Sequence, residues 1–131
     1  MIVLDTHVLL WWVAGEDRLS ARARRAIGQR LAEGPIIASS ITVLEIATAV
    51  RRGRLELGSS LEQWVADLLA LPELRFEPVG VEIARLAGSY DETIPGDPAD
   101  RIILATAQAA GARLVTADER LRALPHVAAV W

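Results

Sequence analysis

The chain has no cysteine and no lysine, and all 14 of its basic residues are arginine. Without cysteine there is no disulfide, no thiolate nucleophile and no cysteine-ligated zinc, and the redox compartment stays open. Without lysine there is no Walker-type phosphate loop and no Schiff-base chemistry. Two histidines, His7 and His126, are too few for an imidazole-rich zinc centre, whereas 17 acidic residues favour a hard, oxygen-liganded ion. A net charge of -3 argues against a nonspecific DNA coat while leaving room for a local arginine patch. Long apolar runs are missing too: the longest, residues 8–15, falls far below the roughly 18 residues that span a bilayer. The first four residues have no basic flank, and Asp5 interrupts them before signal-peptide length. A cytoplasmic protein without membrane association is expected.

What is present is enough for one core. With 131 residues, 52% of them hydrophobic, the chain is expected to form a single domain over 1–131. Short β-branched runs alternate with helical segments, which is the α/β pattern. Strands are expected at 2–5, 36–39, 76–79, 113–116 and 127–131; Pro78 suits the third to a sheet edge. Helices are expected at 8–13, from a Ser20 cap to about 33, at 42–52, from a Ser60 cap to near Pro72, at 81–90, over 98–110 and at 118–124. Gly53 and Gly58 punctuate the turn before Ser60. Asp97-Pro98 combines a good N-cap with a good first helical residue, after a loop through Thr93-Ile94-Pro95-Gly96. The alanine-rich stretch that follows is expected to be buried centrally and to end at Gly111.

Four acids fall where a strand ends or a helix begins: Asp5, Glu45, Asp100 and Asp118. In a mostly parallel sheet the carboxyl ends of the strands line one crevice, so these acids can converge from distant parts of the sequence. Together and unpaired they would repel, and bound Mg²⁺ or Mn²⁺ is the usual resolution. Each also has a plainer use. Asp118 can cap the helix after it, Asp97 the one after Pro98, and Thr42-Val43-Leu44-Glu45 fits a capping box. Asp5 is harder to explain that way, since an acid ending an apolar strand is largely buried and needs a partner or an ion.

Four segments then carry a resemblance. They are Val3-Leu4-Asp5-Thr6-His7, Ser39-Ser40-Ile41-Thr42-Val43-Leu44-Glu45-Ile46-Ala47, Asp97-Pro98-Ala99-Asp100-Arg101-Ile102-Ile103-Leu104-Ala105-Thr106-Ala107, and Leu114-Val115-Thr116-Ala117-Asp118. In this order and spacing, over the whole chain, they resemble PIN-domain ribonucleases of the VapC toxin type. The resemblance implies a three-layer α/β/α sandwich with a central, mostly parallel sheet, Mg²⁺-dependent RNA cleavage, a homodimer, and a cognate antitoxin bound near the site. It implies a toxin of a toxin–antitoxin pair, one that inhibits translation or growth. It places the acidic quartet on Asp5, Glu45, Asp100 and Asp118, with Asp97 flanking it and Thr6 and Thr116 as hydroxyl neighbours. One departure is Gly96, where some relatives carry a basic or imidazole residue.

Phosphodiester hydrolysis needs a nucleophile at neutral pH and neutralisation of the phosphoryl oxygens, and metal ions supply both. Asp5, Asp100 and Asp118 are therefore assigned as direct or water-mediated metal ligands, with Glu45 completing the shell or orienting the attacking water. Arg101 is expected to pair with Asp97 or another acid, or to contact phosphate, the structural role being favoured. His7, on a helix starting at Thr6, is expected to point away from the acids. Arginines 22, 24, 25 and 30, and 51, 52 and 54, form either an RNA-binding rim or solvated helix faces. Trp11 and Trp12 are adjacent, so one faces the core and the other marks a partner groove or dimer contact. Two other readings compete. A haloacid-dehalogenase-like phosphatase also starts with a strand ending in Asp, but it needs a second Asp where His7 stands, and a lysine. A catalytically silent PIN-fold binding module would have little reason to keep four mutually repelling acids.

Overall fold

Alternate residues of the short apolar strands feed two separate cores, and this alone dictates helices on both faces of one sheet. Ile2, Leu4, Ile36, Ala38 and Val115 point to one side, while Val3, Ile37 and Leu114 point to the other. The computed structural model describes residues 1–94 and 97–131; Pro95 and Gly96, and the turn and the departure assigned to them, lie outside the described residues. Five strands, β1 (Ile2–Leu4), β2 (Ile36–Ser39), β3 (Leu74–Glu77), β4 (Arg113–Val115) and β5 (Ala129–Val130), pair in the order β3-β2-β1-β4-β5. Every pairing is parallel. The third strand lies at the edge, as Pro78 suggests, but two residues earlier, because Leu74 is the residue that enters the core.

Helices α1 (Thr6–Ala14), α2 (Ala21–Leu31) and α4 (Leu61–Leu69) cover the first face with Val8, Leu9, Ala23, Ile27 and Leu68. Helix α6 (Pro98–Ala109) and the short α7 (Glu119–Arg122) cover the second with Ile103, Leu104, Ala107 and Leu121. Helix α5 (Val81–Ser89) packs on α6 through Ile83, Ala87 and Ala105, while α3 (Ile41–Arg51) also contacts α6. The result is the expected three-layer α/β/α sandwich. Its local signals are those of the sequence. Ser20 and Ser60 accept the amides of Ala23 and Gln63, caps worth about 1 kcal/mol each. Asp97 caps α6 with Pro98 in its first turn, and Gly111, at φ 61°, follows its end.

Helix α6 is buried on every side over residues 103–107, more than a full turn held between the sheet, α3 and α5, and it opens to solvent only toward its ends, at Pro98, Gln108 and Ala109. One local expectation fails. The capping box at Thr42–Glu45 does not form: α3 begins at Ile41, the Ser40 side chain before it makes no cap, and the Ser39 hydroxyl accepts the Ile41 amide instead. Thr42 is instead wholly buried and hydrogen-bonded to Thr6. No helix among the described residues is long and apolar enough to cross a membrane.

Candidate active site

Strand β1 is flanked by β2 on one side and β4 on the other, so the chain's progress across the sheet reverses at β1. In an open parallel sheet the crevice at the carboxyl ends of strands beside such a reversal is where ligands bind. Residues that leave β1 and β4 at that end are Asp5 and the segment Thr116-Ala117-Asp118. The Asp5 amide still bonds to the Val115 carbonyl at 3.0 Å, after which Asp5 caps α1 by accepting the Thr6 amide at 2.8 Å. Its second carboxylate oxygen accepts the Thr116 hydroxyl at 2.7 Å. Thr116 also accepts the Asp118 amide at 3.0 Å, so one hydroxyl ties the two acids to a common frame.

Glu45 arrives from α3. The Thr6 hydroxyl donates to its carboxylate at 2.5 Å, and Thr42 Oγ1 lies 3.0 Å from Thr6 Oγ1. Because the single Thr6 proton goes to Glu45, Thr42 is the donor in the second bond. Asp97 and Asp100 come from the start of α6, Asp97 as its cap and Asp100 in its first turn. All five acids line one cleft of about 540 Å³, together with Thr6, His7, Trp11, Ala117 and Arg120. The structure thus brings together the whole acidic quartet, its flanking Asp97 and Thr6, with the Thr116 hydroxyl bonded to Asp5 at their edge.

The electrostatics follow from this crowding. Burial, then repulsion from Asp5, Asp97, Glu45 and Asp118, pushes the Asp100 carboxyl up from 3.8 to about 7. Glu45 is also raised by burial and by Asp5 and Asp97, against the opposing pull of the Thr6 hydroxyl bond. Asp118 goes the other way, because Arg120 hydrogen-bonds it and adds positive charge. Arg120 donates to both Asp118 oxygens at 3.2 and 2.9 Å and lies 3.7 Å from Asp100. Its side chain is 67% exposed, so it is a solvated cation laid across the mouth of the cleft.

Sequence reasoning overlooks Arg120. The only signal is its place two residues after Asp118, in the first turn of a short helix. His7 is a correction: it lines the cleft and does not point away, since α1 leaves β1 with its first turn beside the acids. The Arg101 guanidinium donates to the carbonyls of Tyr90, Asp91 and Ile94 at 2.8, 3.0 and 3.2 Å, which fixes the segment leading toward α6. Trp11 and Trp12 are both half-buried against the first core, and Trp11 is the one that reaches the cleft.

The donor set is all carboxylate oxygen with hydroxyl and backbone support, which suits Mg²⁺ or Mn²⁺. Among the described residues no three His, Asp or Glu side chains are drawn into a ready-made cage. Arg120 supplies positive charge among them, against Asp118 and Asp100. Replacing Arg120 by alanine is therefore expected to tighten divalent-ion binding several-fold in calorimetry, by removing a competing cation. Unchanged ion affinity would show that Arg120 does not compete for these acids.

A parallel α/β/α sandwich with four acids gathered at the ends of its central strands is the architecture of a PIN domain, and residues 2–127 match that family. The chain belongs to it. Among curated proteins it is 35% identical over 125 residues to ribonuclease VapC22 of Mycobacterium tuberculosis, covering 95% of this chain and 92% of that one. The fold is shared with VapBC2 from Rickettsia felis, solved bound to a DNA fragment from its promoter, at a TM-score of 0.69, 18% identity and coverage of 98% and 97% of the two chains. It is shared also with FitAcB from Neisseria gonorrhoeae, at a TM-score of 0.62, 26% identity and coverage of 90% and 88%.

Proposed function

We propose that the protein is a divalent-metal-dependent endoribonuclease, the toxin of a toxin–antitoxin pair that arrests translation or growth by cutting RNA. The observation that carries this reading is the convergence of Asp5, Glu45, Asp100 and Asp118 in one cleft, with Asp100 pushed up to about 7 by burial and its neighbours. Acids shifted in this way cluster at functional sites. The ribonuclease name of the relative from M. tuberculosis and the toxin–antitoxin complex from Klebsiella pneumoniae among structures of the same fold support it.

Asp5, Asp100 and Asp118 would hold the ion, which supplies an acidified water and positive charge on the phosphoryl oxygens. The rest is the work of the chain. Thr116 fixes the Asp5 carboxylate and, through the Asp118 amide, the start of α7. The Thr42–Thr6 relay fixes Glu45, whose raised affinity for a proton suits it to orient and deprotonate the attacking water. Arg120, once it leaves the acids, stands at the mouth of the cleft where a phosphate would enter. The partners are an RNA substrate, a cognate antitoxin that covers the cleft, and a second copy of the chain.

The test is cleavage of total RNA by the purified protein with Mg²⁺ or Mn²⁺, beside EDTA and Asp5→Asn controls. Cutting lost in both controls is the expected result. No cutting, together with no divalent-ion binding by calorimetry, would replace this reading with the silent binding module.

A further inference from the structure

Several arginines on this protein face an acid: Arg18 pairs with Glu16, Arg30 with Glu33, Arg85 with Glu82 and Arg120 with Asp118. Three others gather where there is none. Arg22 and Arg25 of α2 and Arg113 at the start of β4 line one groove of about 310 Å³, and no aspartate or glutamate among the described residues lines it with them. All three are exposed, and none has an ordered polar partner for its side chain among the described residues. On α2, positions 22, 25 and 29 share one helix face, which sets Gln29 beside the two arginines. In a chain of net charge -3 such an acid-free cluster runs against the average and concentrates a positive field.

The groove is also joined to the cleft. Trp131 lines it, and the Trp131 ring lies 5.7 Å from that of Trp11, tilted by 52°. Trp11 in turn lines the carboxylate cleft and carries the Arg18 guanidinium 5.9 Å from its ring centroid. Acids, a tryptophan pair and three arginines therefore follow one another across the surface.

We infer that this path is a second RNA-binding site, in which a single strand leaving the cleft crosses the Trp11–Trp131 pair and lays its phosphates on Arg22, Arg25 and Arg113. The inference rests on the ribonuclease reading above and extends it to the part of the substrate away from the cut. Aromatic faces accept any base and arginines accept any phosphate, so the path holds a strand without choosing its sequence. It favours single-stranded RNA over a duplex, whose bases would be unavailable to the tryptophans.

The experiment measures binding and not cleavage, so that it stands apart from the nuclease test. Fluorescently labelled single-stranded RNAs of about 4 and about 12 nucleotides, spanning the usual range of site size, are titrated by anisotropy with the full chain and with an Arg22→Glu/Arg25→Glu variant. Wild type is expected to bind the longer RNA at least about tenfold more tightly, with a salt dependence of about 0.7 per phosphate engaged. The variant is expected to lose that gain and about 1.4 from the salt slope. Arg113→Glu, on a different element, should reproduce the loss and guards against a folding defect in α2. Undiminished length gain and salt slope in both variants would overturn the inference. So would variants that lose affinity for polyglutamate but not for RNA, which would assign the groove to an acidic protein segment. If wild type neither cuts RNA nor binds a divalent ion but keeps the arginine-dependent gain, the binding path stands and the nuclease reading falls.

Discussion

Asp5→Asn is expected to lower RNA cleavage by a factor of about 10³, equivalent to about 4 kcal/mol of transition-state stabilisation. The size follows from what is removed and what is kept. The substituted side chain would retain an oxygen to cap α1, and its amide would donate to the Thr116 hydroxyl, which both donates and accepts. The fold should therefore lose no more than about 1 kcal/mol. What disappears is a carboxylate at the centre of the cluster, and with it one of the ligands proposed for the ion. Steady-state kinetics on a defined RNA, beside thermal melting and ion titration, separates the two effects. Near-normal cleavage would remove Asp5 from the ion site, whereas a lowered melting temperature with lost cleavage would mark a structural role.

Asp100→Asn is expected to abolish cleavage and yet stabilise the ion-free protein at alkaline pH. Native Asp100 keeps its proton up to about 7, whereas in the unfolded chain it titrates near 3.8. The native state thus binds the proton more tightly, and stability falls as pH rises from about 4 through about 7. Below that window the protonated acid and asparagine are nearly equivalent. Above it wild type carries an unwanted charge that asparagine lacks. Allowing for solvent screening of a partly exposed group, the variant should gain about 1–2 kcal/mol at pH 8, several degrees in melting temperature. Excess Mg²⁺ should reverse the order, since only wild type gains fully from binding it. Ion affinity should also rise about tenfold per pH unit below 7, because the proton must leave before the ion enters. Identical melting of the two proteins at pH 8 without Mg²⁺ would refute the strained cleft.

Much of this arrangement is written locally. Ile2, Val3 and Leu4 before an acid read as a buried strand ending in polar company, and Asp97-Pro98 reads as the start of a helix. Those signals lie within a few residues and survive folding unchanged. The failures are of another kind. Glu45 looks like the closing residue of a capping box because Thr42 stands three residues before it, but both side chains answer to Thr6, 36 and 39 residues earlier. The direction of His7 is not legible because the angle at which α1 leaves β1 depends on the whole sheet. Arg120 escapes notice because an arginine in a first helical turn reads as solvated until Asp100 is brought to its other side from α6. In each case the deciding partner is remote in sequence.

The hydroxyl of Thr116 spans 111 positions to reach Asp5, and this separation sets a condition on folding. Without β4, β1 lacks a neighbour on one side and the cleft lacks a wall. Contacts so far apart in sequence cost loop entropy before they repay it, and a domain generally folds as a unit. A fragment that stops short of β4 would therefore carry the first acid with no cleft around it.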